Sequence, residues 1–433
     1  MPDGSYRPAM SDHPLRYALA NELHARPFPP MTAPGQVAYL AIKEPEGGAK
    51  RDRSRDLDHL RALLDRYGAP HPQPEATHYF GEIGKYALKW EQHTEFVTYT
   101  LFSTGTSEQP FDSALWEVFS PDWLATMPGS RITSAHIHVA EMPQDMAAIR
   151  AKLDDWFVPE SLAASQVIDD TAVIAGDFRI APTGHMHFAV FARPDTGKRR
   201  LGRIVQRICE IETYKAMAML GLPRAREISV RLSDIDARLS MLSAEMTGEI
   251  ARPEASLQTL LTSAAELENL MAQSAFRFAA TKAYEAIVNQ RIEVLTEARF
   301  NGRQSFAEFM MRRFDPAIRT VEATELRMQS MIERAARAGD LLRTRVDVDR
   351  QQQNQALLES MDKRADLQLR LQKTVEGLSV VAISYYAVNL AVYLTAPFAE
   401  QVGVTGSLLT ALVALPVVLG VWLVVRRIRQ SME

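Results

Sequence analysis

The run Lys89-Trp90-Glu91-Gln92-His93-Thr94-Glu95 crowds three groups that can do chemistry into one short stretch. In an extended chain side chains alternate, so Glu91, His93 and Glu95 would share a face while Trp90 and Phe96 turn the other way toward a core. Two carboxylates and an imidazole in that arrangement can hold a divalent metal or place a general acid or base. The same face also suits a solvated sheet surface carrying cross-strand charge pairs. A second dense cluster lies in NELHARPFPP, with Asn21, Glu22, His24 and Arg26. A helix from Pro14 would set Glu22 and Arg26 one turn apart as a pair and stop near Arg26, ahead of Pro27. Two Glu/His clusters in one small domain could meet in a single polar site. The simpler alternative is a clasp, with the Glu22–Arg26 pair and the proline tail pinning this segment to a sheet.

His136-x-His138 and His185-x-His187 each put two imidazoles on one strand face. On neighbouring strands the four could reach a zinc or similar ion. A divalent metal is therefore the one cofactor the residues raise; none is otherwise specified. Asp195-Thr196-Gly197-Lys198 is no phosphate loop, since Arg199 follows where Ser or Thr belongs, and there is no Gly-x-Ser-x-Gly elbow. Cys209 is the only cysteine, so no intrachain disulfide forms, which fits a reducing compartment. A net charge of −4 gives no basic field for nucleic acid.

The elements that must position these groups fall into distinct regions. Residues 1–195 read as a mixed α/β domain of the α+β class. Strands are expected at Val37–Ile42, within the stretch from Lys85, at Arg131–Ala140, Thr171–Ile180 and Met186–Ala192. An amphipathic helix is expected at Asp56–Tyr67, with short ones near 112–119 and 143–156. Lys43–Arg55 reads as an exposed loop. Residues 196–374 read as a long-helix, coiled-coil-like region, broken at Gly221-Leu222-Pro223, Asn301-Gly302 and Asp315-Pro316. A helix from Pro316 to Lys373 would be about 85 Å long. Its broken apolar seam includes Met328, Ala335, Leu342, Val346, Leu357, Leu371 and Val375. It suits intrachain packing or a loose homo-oligomeric coiled coil.

Two apolar runs, 375–397, with no charge after Glu376, and 404–425, are each long enough to span a bilayer and would form a hairpin. MPDGSYRPAMSDHPLR lacks the apolar core of a signal peptide. Arg364, Arg370 and Lys373 precede the first run, and Arg426, Arg427 and Arg429 follow the second. The positive-inside rule then puts both termini in the cytoplasm, with a short loop outside. Ser379, Tyr386, Asn389 and Tyr393 make a polar stripe on the first span, either lining a pore in an oligomer or gluing it to the second span.

NELHARPFPP, WEQHTEF at 90–96, GRIVQRICEIETYKAMAMLGLP at 202–223 and LQKTVEGLSVVAISYY at 371–386 resemble one bacterial family of membrane-anchored proteins, domain of unknown function 3422. The resemblance covers nearly the whole chain and implies a membrane-anchored bacterial protein without assigning any catalytic residue; with the charge pattern, the expected location is the bacterial inner membrane. The layout is also similar to the CorA-type magnesium transporters, although their Gly-Met-Asn signature is missing. Tyr386-Ala387-Val388-Asn389 lies mid-span rather than at the outer end. Three function classes follow: a cytoplasm-facing scaffold or sensor with an α/β head on a helical stalk, a divalent-cation channel, and a membrane-tethered enzyme using the Glu/His clusters.

Overall fold

The computed structural model describes residues 12–17, 29–45, 51–105, 109–247, 253–402 and 405–432. The chain forms two compact units, Met1–Glu245 with Leu260–Ala336, and Met246–Thr259 with Arg337–Glu433. In the first, nine strands form one sheet in the order β2-β3-β4-β1-β5-β8-β7-β6-β9. These are β1 (Gly35–Lys43), β2 (His78–Ile83), β3 (Tyr86–Gln92), β4 (Phe96–Thr104), β5 (Ser130–Glu141), β6 (Ala163–Val167), β7 (Ala172–Ile180), β8 (Met186–Ala192) and β9 (Ala298–Arg299). Only β5 and β8 run parallel among the described pairs; the remaining neighbours are antiparallel.

Both faces of the sheet are covered, which explains why β1, GQVAYLAIK, is buried along its whole length. One face of β1 (Val37, Tyr39, Ala41) packs on Leu201, Ile204, Val205 and Ile208 of α4 (Lys198–Met219). The other face (Ala38, Leu40, Ile42) packs on Leu57, Leu60, Leu63 and Leu64 of α1 (Ser54–Arg66). Trp123, in α2 (Pro121–Ala125), closes that layer. At the far end Ala164, Val173, Ala175 and Phe191 meet Ile149 and Leu153 of α3 (Met146–Trp156). The strands expected at 37–42, 131–140, 171–180 and 186–192 are present, and the stretch from Lys85 is a hairpin of two strands. Strands β2, β6 and β9 lie outside the stretches where the sequence leads one to expect strands. β9 is two residues long, and β6 (AASQV) alternates too weakly to stand out from a loop.

Helix α4 gives way to α5 (Gly221–Thr247) at the expected Gly-Leu-Pro break. α6 (Pro253–Glu293), α7 (Phe306–Arg313) and α8 (Asp315–Val402) follow, then α9 (Gly406–Met432). Ser305 caps α7 through a reciprocal capping box with Glu308. One glycine is required by close approach. Gly202, in the first turns of α4, lies under the Pro29 carbonyl where the chain crosses this helix, and Met31 N–H donates to the Lys198 carbonyl at 3.0 Å. Any Cβ at Gly202 would occupy the space of that carbonyl oxygen. The loop expected to be exposed at Lys43–Arg55 differs at two of its described residues: Lys43 is buried as the last residue of β1, and Arg51 is buried, paired with Asp56 in α1.

In the second unit, two helices are long and apolar enough to cross a membrane: the one reaching Pro397, and Gly406–Ile428. α8 lies against α9 around Val380, with Leu415, Val418, Leu419 and Trp422 opposite. Ser379, Tyr386 and Tyr393 are exposed and Asn389 is half-buried. The exposed members of the stripe lie on a side of α8 other than the one that carries Val380.

Gly202→Ala is expected to cost about 1–3 kcal/mol, the usual range for overpacking a filled site. A urea titration followed by circular dichroism would show a midpoint shift of that size. An unshifted midpoint would mean the Pro29 crossing is easily displaced.

Candidate functional site

Between the sheet and α4, inside the first unit, lies a cavity of about 390 Å³. Its walls come from β1 (Tyr39), β3 (Lys89, Glu91), the turn residue His93, β4 (Phe96, Thr98, Thr100, Phe102), α4 (Gln206, Cys209, Glu210, Thr213, Tyr214) and α6 (Arg291). Lys89, Glu91 and His93 lie two residues apart, so the strand pleat delivers all three to one face. Gln206, Glu210 and Thr213 recur at helical spacing and turn one polar edge of α4 toward them.

These polar groups form one chain of alternating charge. Glu91 Oε2 lies 3.0 Å from Lys89 Nζ. Lys89 Nζ donates to Gln206 Oε1 at 2.9 Å, and Gln206 Nε2 donates to Glu210 Oε1 at 2.8 Å. Glu210 in turn accepts from Arg291 Nε. Lys89 is buried, so this pairing offsets the cost of holding its ammonium out of water. On the floor, Thr213 Oγ1 donates to the Cys209 carbonyl at 2.9 Å, which leaves Tyr39 as donor in its 2.5 Å contact with Thr213 Oγ1. Burial pushes the Cys209 thiol up and the Tyr39 phenol well above its ordinary value. Both stay protonated, so Cys209 is no thiolate nucleophile. The aromatic wall is His93 stacked on Phe96, with centroids 4.3 Å apart, and Tyr214 stacked on Tyr284 at 5.6 Å.

The turn carrying His93 is held from both sides. Arg51 Nη2 donates to the carbonyls of His93 (3.2 Å) and Phe96 (3.0 Å), and Arg51 pairs with Asp56 at 2.6 Å. On the other side Glu95 accepts from Arg277 and from Tyr284 Oη at 2.9 Å. Glu95 is therefore a buried anchor rather than a cavity group. Phe96 shares a side with His93, not with Trp90 as continuous alternation implied. The chain reverses after Gln92, and His93 N–H donates back to the Phe96 carbonyl at 2.8 Å, which resets the alternation. Trp90 does point into the opposite core. Asn21, Glu22, His24 and Arg26 lie outside the described residues.

A family model described as "Protein of unknown function (DUF3422)" matches residues 11–432. The chain belongs to that family. No curated protein and no solved structure matches it. The cavity and its polar chain thus lie within the matched part of the family, and their chemistry has to be read from the residues themselves.

The four strand histidines lie on the opposite face of the sheet, and their strands are neighbours, with His136 in register with His187. They do not converge on a point. The Phe111 ring stacks on His187 at 4.1 Å and turns its edge relation to His136 at 5.7 Å. Trp116 stacks on His185 at 3.6 Å. His185 Nδ1 bonds Ser134 at 2.9 Å, and His136 Nε2 bonds Gln36 at 3.2 Å. Among the described residues no group of three or more His, Cys, Asp or Glu is placed to hold a metal ion. Aromatic rings fill the space that an ion would need.

Burial lowers all of these imidazoles: His136 to about 3, His138 and His185 to about 4, and His187 in the same direction. His59, stacked on Trp123 at 3.9 Å, is lowered to about 4 by burial as well. Each is neutral in the fold but takes a proton near pH 6.5 when unfolded. Their stabilising contribution is complete above that pH and is lost as pH falls toward 4, because the unfolded chain then binds more protons. Thermal midpoints are expected to hold steady above pH 7 and fall steeply between pH 6 and 4. His136→Gln should shallow that fall. An equal slope in the variant would remove this histidine from the cause. Arg51→Ala is expected to cost about 3–5 kcal/mol by leaving Asp56 buried and unpaired, measured by denaturant unfolding.

Proposed function

We propose that this protein is a membrane-anchored sensor or scaffold of the bacterial inner membrane, whose cytoplasmic sheet unit binds a small polar molecule. The observation that carries the reading is the cavity. At about 390 Å³ it has the size of a metabolite site, and it combines aromatic walls with a paired set of charges. Lys89 and Arg291 balance Glu91 and Glu210, so the site carries no surplus charge of either sign. It suits a neutral or zwitterionic molecule that stacks on His93 and Phe96 and exchanges hydrogen bonds with the Lys89–Glu91 pair.

The two apolar C-terminal helices support the anchor. Arg364, Arg370 and Lys373 before the first, and Arg426 and Arg427 after the second, support cytoplasmic termini. Arg426 lies over the Trp422 ring at 5.1 Å, a pairing suited to a membrane–water boundary.

Protein purified from native membranes is expected to retain a bound small molecule detectable by mass spectrometry of the extract. His93→Ala should lose it with the thermal midpoint of the empty protein unchanged. A folded His93→Ala protein carrying the same molecule would overturn the site assignment. So would a wild-type protein that carries nothing and shows no thermal shift across a panel of neutral and zwitterionic metabolites. For the anchor, an alkaline carbonate wash should leave the chain in the membrane pellet; release into the supernatant would overturn that half.

A further inference from the structure

From Gln351 to Ser379 every side chain of α8 is exposed. Long exposed helices normally turn polar residues outward all round, but this one does not. Leu357 is 61% exposed, Met361 59%, Leu371 67% and Val375 55%. At 100° per residue these four fall within an arc of about 80°. Arg364 and Gln368 lie on the same arc. The arc continues without a shift into the apolar part of the helix, where it is occupied by Ser379, Ala382, Tyr386, Asn389 and Tyr393. Tyr386 is 72% and Tyr393 80% exposed. The face that meets α9 is a different one.

One helical face is thus apolar before the membrane span and polar within it. Each half is mismatched to its own solvent. Leucines in water lose the burial free energy of about 25 cal/mol per Å², and polar groups facing lipid lack hydrogen-bond partners. A single partner removes both penalties only if it changes from apolar to polar at the same height along the helix. A soluble protein cannot follow the face into the bilayer, and a lipid cannot follow it into the cytoplasm. A second copy of this chain, inserted in the same orientation, does both by symmetry.

The geometry points to parallel self-association of the chain along this face of α8, with Leu357, Met361, Leu371 and Val375 packing against their counterparts and Tyr386, Asn389 and Tyr393 sharing hydrogen bonds across the same axis in the span. This rests on the membrane reading for the second half of the face only. Arg364 and Gln368 fall at seam positions, where polar residues lower stability but fix register and orientation in coiled coils.

The test is site-directed cross-linking of the full-length protein in native membranes. Leu371→Cys, Val375→Cys and Tyr393→Cys are compared with Lys373→Cys, which lies on the opposite side of the same helix. Cys209 is buried and serves as the silent background. Oxidation is expected to convert the three seam variants mainly to dimer-sized or larger species, at least fivefold more than Lys373→Cys. Asn389→Leu should reduce the association measured by mass in detergent. Equal cross-linking on both sides, or none at Leu371 and Val375 while the chain sediments with membranes, would overturn the self-association and leave the anchor standing. A chain that does not sediment with membranes would overturn the anchor and the membrane half of the seam, while cross-linking at Leu371 would still support the other half.

Discussion

Much of the first unit hangs on the Arg51–Asp56 pair. Both side chains are almost wholly out of water, and burial raises the Asp56 carboxyl above its ordinary value despite the adjacent guanidinium. Desolvation outweighs attraction here, as it does for most buried ion pairs. What the pair supplies is position. Through Arg51 it fixes two carbonyls of the turn between β3 and β4, and through Gln92, which donates to Asp56 Oδ2 at 2.8 Å, it fixes the last residue of β3. The α1 layer and the hairpin are locked together at that point. The hairpin in turn aims Lys89, Glu91 and His93 at α4.

The cavity exists because polar residues were placed on faces that otherwise pack. The sheet face bearing Tyr39 and Phe102 is part of the main core, and a fully apolar α4 would close onto it. Gln206, Glu210 and Thr213 hold the helix off and meet the strand through side-chain bonds instead. A core that gives up burial at one place for a chain of paired charges has a less stable packing there. Such local departures from simple packing are where binding sites are usually found.

The outline was legible in the sequence because it depended on local rules. The strand-like runs of β1 and β5 and the Gly-Leu-Pro break before α5 all act within a few residues. The two apolar helices were equally plain, since composition alone sets their length. What could not be read was whatever depended on a chain reversal or a distant partner. A turn at His93 moved Phe96 to the face of its neighbour, and Glu95 became an anchor because Arg277 and Tyr284 arrive from α6. Arg291 and Glu210 entered the site for the same reason. Part of the cavity nonetheless has a signal in the sequence: Lys89 stands two residues before Glu91, and Gln206, Glu210 and Thr213 recur at helical spacing. The four histidines show the converse. Their strand neighbourhood matched what the paired His-x-His pattern requires, but Phe111, from a loop with no signature, took the central space.

Sheet completion also has an order in time. β6 pairs with β9 through Ser165 and Arg299, so that edge stays open on the ribosome until α4, α5 and α6 have been made. An unpaired edge is a template for wrong partners, and the nascent chain must carry it through the synthesis of more than a hundred residues. β9 and the helices that follow it to Ala336 are finished before the first apolar run at 375 emerges. The part of the molecule bearing the cavity is therefore complete in sequence before either long apolar helix has been made.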